Sequence, residues 1–233
     1  MTPLDGAFTK PVAEGKLAGL LDDKDIRVVT EFATGQVDTE HRRLISYDDR
    51  EVAFDLLVAI PLHGGAPYIA RSPGLGDELG FVRCNQATLQ STAATNVFVI
   101  GDATNVPTSK AGSVAHFEGE TLVENIRRFI DDEPLTASFD GHTNCFIETG
   151  FHKALLIDFN YDVEPLPGRY PMPHVGPLPL LKESRLNHMA KLAFQPFYWH
   201  VLLPGRDVPG VGSQMRGTAH LAEAVTGKQG GRP

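Results

Sequence analysis

Residues 96–120 read NVFVIGDATNVPTSKAGSVAHFEGE and hold the densest set of chemistry-bearing side chains in the 233-residue chain. An apolar run, 96–100, is expected to be a strand. It ends at Gly101, where the missing Cβ lets backbone approach a ligand closely. Asp102 follows at the strand's C-terminal end, the place where open α/β sheets hold ligands. A carboxylate there accepts hydrogen bonds from ligand hydroxyls. A helix is expected to begin near Ser109, Lys110 and Ala111. Its free N–H groups and positive dipole end would face an electron-rich carbonyl or an anion. Together these parts make a cradle for a polyol joined to an anionic ring. An isolated Asp after a strand is usually a turn or cap residue, and an isolated lysine such as Lys110 is usually a solvated one. His116 and Glu118 fall inside the expected helix and read as packing or surface residues.

The elements that must position this string alternate between helix and strand. Residues 10–23 place Val12, Leu17, Leu20 and Leu21 at helical spacing. The β-branched run 26–30 is expected to be a strand. Residues 42–47, the turn 48–51 and residues 52–54 predict a hairpin. The run DLLVAI, 55–60, predicts a strand buried on both faces. Residues 111–130 predict a helix with Val114, Phe117, Leu122, Val123, Ile126 and Ile130 apolar. The stretch LLIDFNY, 155–161, reads as a strand. Six prolines between 165 and 179 predict a loop. The Gly-rich end after Pro209 is expected to be poorly ordered. The glycines at 64–65 and 74–80 do not form the G-x-G-x-x-G turn that opens a dinucleotide-binding domain. The chain therefore reads as a later part of a doubly wound α/β fold without a first βαβ unit.

Bulk composition excludes some function classes. The formal net charge is −8, and phosphate contact needs a basic surface, so no nucleic-acid partner is expected. No run of about 18 apolar residues exists, so no spanning helix is expected. The N-terminal residues show no secretory signal, which points to a cytoplasmic location. Cys84 and Cys145 lack metal-ligand spacing and are too few for a disulfide framework, so no metal site is expected.

The string GDATNVPTSKAG resembles the second FAD motif of the two-dinucleotide-domain flavoproteins, in the form carried by the sulfide:quinone oxidoreductases. The resemblance implies that Asp102 holds the flavin ribityl chain, within a cofactor-binding set of Gly101, Asp102, Ala103, Thr108, Ser109, Lys110, Ala111 and Gly112. It places Lys110 near the flavin pyrimidine edge or the quinone. Residues 139–167 resemble the family segment that carries one redox-active cysteine. That match makes Cys145 the catalytic residue that bonds sulfur or the flavin, a role that needs a lowered thiol pKa and partial access. Cys84 reads as structural. Residues 178–206 alternate apolar side chains with Lys182, Arg185 and Lys191 and end in FYWHVLLPGR, a pattern suited to a membrane interface.

The resemblance covers about residues 2–206. It implies an α/β C-terminal portion of a flavoprotein in four parts: a partial pyridine-nucleotide-type, Rossmann-like domain (1–90), the returning part of the FAD domain with its redox cysteine (91–165), an amphipathic extension near membrane and quinone (166–208), and a flexible tail (209–233). The implied function is FAD-dependent electron transfer from sulfide to quinone, peripheral at the inner face of a membrane. The first glycine-rich turn, the acidic ribose partner and the second redox cysteine have no counterpart here. They are expected from an N-terminal-half polypeptide or a longer reading frame, and a homo-oligomer is the other expected assembly. Two alternatives stand beside this reading. One is an NADH-dependent quinone-reducing flavoenzyme of the same fold. The other is a non-catalytic partner subunit or remnant.

Overall fold

The computed structural model describes residues 1–206 and 208–215. It divides into two compact units, Met1–His63 and Gly64–Pro233.

In the first unit, helix α1 spans Pro11–Asp22. Pro11 suits the first helical position, where no amide donor is needed, and Ala13 is its fully buried residue. A three-stranded antiparallel meander follows: β1 (Thr34–Asp38), β2 (Arg43–Ser46) and β3 (Glu51–Ala53). Leu44, opposite Val37 and Val52, is buried. The β2–β3 turn closes on Ser46, whose Oγ accepts from the Arg50 amide at 3.0 Å, and Asp49 takes a left-handed φ of 64°. The expected hairpin and first helix are present.

Two expected strands are absent from this unit. Residues 26–30 are extended but unladdered, tied by single bonds from Ile26 N to Leu21 O at 2.9 Å, Thr2 N to Val29 O at 3.0 Å and the Arg50 guanidinium to Thr30 O at 3.3 Å. Residues 55–60 form no strand, and Leu56, Val58, Ile60 and Leu62 are 84–94% exposed. An apolar run states a demand for cover. A strand also needs hydrogen-bonded neighbours, and no strand among the described residues pairs with this one.

In the second unit, the short helix α2 (Pro67–Ala70) leads into a lattice of single β-bridges. These join Val82 to Thr104 in parallel, and Cys84 to Ser91 and Gln90 to Phe98 antiparallel. Residues 96–100 therefore make one bridge where a full strand was expected. Helix α3 spans Gly112–Ile130. Val114 and Phe117 from it join Leu89, Val106 and Phe139 in one core cluster, while Ile69, Val82 and Val99 form a second.

Strands β4 (Thr143–Gly150) and β5 (Lys153–Phe159) form an antiparallel ribbon. All of β5 after Lys153 is buried, because helix α4 (Arg185–Phe197) packs on it. The Pro-rich segment is partly ordered as a hairpin of β6 (Gly168–Tyr170) and β7 (Leu178–Leu180). Helix α4 starts at Ser184, whose side chain accepts from the Asn187 amide at 3.0 Å. It runs into a wide π turn, Tyr198–Leu202.

A strap of residues 208–215 lies against this unit, with Ser213 N on Glu120 Oε2 at 2.9 Å and Met215 N on Asp140 Oδ2 at 3.0 Å. The expected disorder after Pro209 thus does not extend over 209–215, because side chains of the preceding elements take up the strap's amides. Residues 216–233 of the expected flexible tail lie outside the described residues.

His142 fastens the strap to the ribbon. Its ring is 2% exposed and stacks on Phe117 at 4.6 Å. Both ring nitrogens face acceptors: Nε2 donates to Asp158 Oδ1 at 2.9 Å and Nδ1 to the Gly212 carbonyl at 2.6 Å. Only the imidazolium donates from both nitrogens. Burial is the largest single influence and opposes that charge, but the Asp158 hydrogen bond and charge, the Gly212 carbonyl and the Asp140 charge together outweigh it, so the folded pKa lies above the ordinary 6.5. A raised folded value stabilises fully below the ordinary value, and the contribution is lost as pH rises through the raised one. Urea unfolding should therefore separate wild type from His142→Gln by about 3 kcal/mol near pH 6 and by less near pH 9. A gap that does not narrow would mean the ring is neutral.

Candidate functional site

The chain leaves Ile100 extended and enters a single 3-10 turn, Gly101–Ala103. Gly101 holds a φ of +65°, which favours glycine, and a Cβ there would lie 3.4 Å from the Ala115 Cβ. The turn thus rests on the first turn of α3. Its amide at Gly101 donates to Glu118 Oε2 at 2.5 Å, from below. The Gly101 carbonyl accepts from Thr104 N and Thr104 Oγ1, each at 3.1 Å. With its backbone held on both sides, the turn carries the Asp102 side chain outward into solvent. No side chain among the described residues hydrogen-bonds the Asp102 carboxylate.

Glu118 is fully buried, and its Oε1 has no hydrogen-bond partner. Burial pushes its pKa up. It belongs to the inward stripe of α3, with Val114, Phe117, Thr121 and Asn125. The helical spacing of that stripe was legible in the sequence. Glu118 reads from sequence as a packing or surface residue, which left its buried bond to Gly101 unseen.

The loop from Thr104 to α3 is pinned at two points. Lys110 Nζ donates to the Thr104 carbonyl at 2.6 Å and lies 4.8 Å from the centre of the Phe81 ring. Thr108 Oγ1 meets Thr143 Oγ1 at 2.7 Å, which fastens the loop to β4. A third bond, Ser113 Oγ to the Asn144 carbonyl at 3.0 Å, fastens the start of α3 to the same strand. The helix has Ala111 at its N-cap and no capping side chain. Its first amides are therefore left for an outside acceptor. Gly101, Asp102, Ala103, Thr108, Ser109, Lys110, Ala111 and Gly112 all lie within this one turn–loop–helix arrangement.

Cys145 lies on β4 opposite Ile157. Side chains alternate along a strand, so Cys145 shares the Thr143 face, about 7 Å further along. That is the face the Thr108 loop touches. The thiol is half-buried, and burial pushes its pKa up, away from the thiolate that sulfur chemistry requires. Cys84 is also half-buried. Burial, then the Glu118 charge, pushes it up to about 11.

The other face of β4, with Asn144 and Phe146, looks into an apolar cavity of about 290 Å³. Phe117, Phe194, Phe197, Leu202 and Val211 are among its walls, and Ser113, His116, Asn144 and Tyr170 are its polar points. Asn144 Nδ2 donates to the Tyr170 hydroxyl at 2.7 Å. Phe194 and Phe197 of helix α4 thus border the cavity, although Phe194 is also exposed along one side. Leu186, Met189, Leu192, Trp199 and Leu203 are exposed.

No family model matches the chain. It is 42% identical over 115 residues to the mitochondrial sulfide:quinone oxidoreductase of Schizosaccharomyces pombe, covering 49% of this chain and 25% of that protein. It is 31% identical over 159 residues to the Dictyostelium discoideum protein of the same name, covering 68% and 34%. The Mus musculus protein of that name matches at 29% over 155 residues, 66% of this chain and 33% of the relative. The chain thus spans between a quarter and about a third of the length of these relatives. Among solved structures, the sulfide:quinone oxidoreductase of Aquifex aeolicus matches with a TM-score of 0.68 at 16% identity, over 88% of this chain and 50% of that one. A chain in the Tetrahymena thermophila mitochondrial ATP synthase assembly matches at 0.65 and 18%, over 87% and 48%. The chain is similar to sulfide:quinone oxidoreductases in sequence, shares the α/β fold of the solved one, and suits a C-terminal portion of such a protein.

The thiol environments carry a direct consequence. A shift of the Cys84 pKa from 9.0 to about 11 lowers its thiolate fraction about 100-fold. Iodoacetamide labelling of the folded chain near pH 8, read by mass spectrometry, should be slower at Cys84 than at a free cysteine by that order. Labelling at the free-thiol rate would show that burial does not protect it.

Proposed function

We propose that this chain forms the ribityl and ring side of the flavin site in an FAD-dependent oxidoreductase that passes electrons from sulfide to a quinone. The observation that carries the reading is the Gly101–Ala103 turn laid against the uncapped start of α3, with the Cys145 strand fastened to the same loop through Thr108 and Thr143. The donor set fits part of such a cofactor. Asp102 offers an exposed carboxylate to the ribityl hydroxyls. The first amides of α3 offer unshared donors to an electron-rich ring edge. Lys110 is held by the Thr104 carbonyl beside that place. A pyrophosphate grip is not among these residues, so the reading includes a further polypeptide segment that supplies it, together with a second redox cysteine. The domain plan at 1–90, 91–165, 166–208 and 209–233 is part of the same proposal.

FAD, when bound, supplies the two-electron acceptor. The chain's own residues do the rest. Cys145 holds sulfide sulfur, which gives up two electrons as HS⁻ becomes bound zero-valent sulfur and a proton. Burial holds its thiol pKa up, and a positive group beside it would favour the thiolate. The apolar cavity behind β4 takes the quinone ring, with Asn144 and Tyr170 as polar contacts for its oxygens. The two sites lie on opposite faces of one strand, a residue apart. The exposed stripe of α4, flanked by Lys182, Arg185 and Lys191, lies in the membrane interface and brings the cavity to lipid-soluble quinone. No helix among the described residues is long and apolar enough to cross a membrane. The curated relatives carry "mitochondrial" in their names, and a peripheral place at a membrane face is the matching location for this chain.

Co-expression with the polypeptide encoded immediately upstream tests this. Wild type should purify with flavin that sulfide bleaches and a short-chain quinone restores. Asp102→Ala should weaken flavin retention at least about tenfold, the scale of a charge-assisted hydrogen bond, with circular dichroism unchanged. Cys145→Ser should keep the flavin and lose the sulfide response. A colourless pair without sulfide-dependent quinone reduction sinks the reading. Bleaching by NADH that ignores Cys145→Ser would favour the nicotinamide alternative. For the interface, Leu192→Glu with Trp199→Glu should abolish flotation with anionic liposomes. Retained flotation would remove α4 from the membrane role.

A further inference from the structure

The apolar cavity has a neighbour. A second, polar cavity of about 550 Å³ opens beside it, lined by Glu120, Arg206, Ser213 and Gln214. His116, Leu202, Val208 and Val211 line both. Three of these four are aliphatic. His116 is the ionisable side chain on the seam. It sits half-buried on α3, with its ring 6.1 Å from that of Tyr198 and 6.2 Å from that of Phe117.

Quinone reduction needs more than electrons. Two C=O bonds become two C–OH groups as the ring takes two electrons and its oxygens take two protons. An apolar cavity holds no proton source of its own. Three hydroxyls line it besides: Ser113 donates to the Asn144 carbonyl, Tyr170 is bound to Asn144 with burial raising its pKa, and Tyr198 belongs to the apolar side without a lining share in the polar cavity. Histidine exchanges protons near neutral pH. The polar cavity meets water, and Glu120 stands one helical turn along from His116 with its Oε2 on the Ser213 amide.

We propose that His116 donates a hydrogen bond, and then the proton, to the oxygen of a quinone in the apolar cavity and is recharged from the polar cavity behind it. The proposal rests on the quinone reading above. The electrons come from the reduced flavin. Each turnover moves the imidazolium proton onto one quinone oxygen, water beside Glu120 passes a new proton from solvent to the ring, and the other oxygen takes its proton from bulk water as the quinol leaves. The charged and titratable groups around His116 are Glu120 on its own helix, Arg206 in the polar cavity, Tyr170 and Tyr198 across the apolar one, and the His142–Asp158 pair behind Phe117.

The test compares two probes that differ in charge. Lawsone is a hydroxynaphthoquinone that is anionic at neutral pH, and its methyl ether is neutral. Trp199 is the single tryptophan of the chain, beside the cavity residue Tyr198, so its quenching reads binding without turnover. Wild type should bind both, with lawsone weakening as pH rises through the range where imidazole loses its proton. His116→Gln should weaken lawsone about tenfold, one charge-assisted hydrogen bond, and erase that pH dependence. The methyl ether should change by less than about twofold. Lawsone binding to wild type that is flat with pH, or equal loss of both probes in His116→Gln, overturns the proposal without touching the quinone reading. Failure of wild type to bind either probe overturns both.

Discussion

One buried hydrogen bond holds the rest of the site in place. Gly101 N–H donates to Glu118 Oε2, and through it a loop turn sits at a fixed height on α3. A carboxyl group removed from water is costly unless it is bonded. The side chain half-meets that demand, since its Oε1 remains without a partner. The cost is offset by what the bond specifies. With the Gly101 amide spoken for and its φ in the left-handed region, the next side chain must point outward. Asp102 is therefore displayed, and the loop that follows has one length in which to reach β4. Thr108 on Thr143 and Ser113 on Asn144 are the result. The turn, the helix start and the cysteine strand form one rigid corner.

That corner explains which parts of the chain were legible from sequence and which were not. The helix 112–130 announces itself by periodicity, and strand β5 by the apolar residues of the stretch 155–161. Both follow from residues close in sequence. The Gly-Asp string was legible as a turn between a strand-like segment and a helix, and the structure has a 3-10 turn there. Glu118 was not legible, since a single acidic residue in a helix is usually solvated. Its burial is set by Gly101, 17 positions earlier. His142 was hidden for the same reason, as its two acceptors, Asp158 and Gly212, lie 16 and 70 positions away.

The strands that failed to form make a related point. Residues 26–30, 55–60 and 96–100 all have strand composition. Composition reports how a segment fits a pleated, half-buried surface and leaves its neighbours unnamed. Residues 55–60 have the most apolar run of the three and the least cover. Residues 96–100 retain one bridge to Gln90 and bury Val99 against Val82 and Ile69. Helix α4 shows the opposite outcome. Its apolar residues meet two surroundings. Phe194 and Phe197 border the cavity, while Leu186, Met189 and Leu192 stay exposed.

The division of α4 and the alternation of β4 act together on the chemistry. A strand turns successive side chains to opposite faces, so Cys145 and its neighbours Asn144 and Phe146 serve different compartments. The Thr143 side is polar and lies beside the Asp102 turn. The Phe146 side is apolar and roofed by α4. Only a peptide unit separates the two faces, and both lie within reach of the same loop. At His116 the apolar cavity adjoins the polar cavity under the strap. The strap is in turn held by His142, stacked on Phe117 and bonded to Asp158 of the strand that pairs with Cys145. The wall between the two cavities is therefore fastened to the same ribbon.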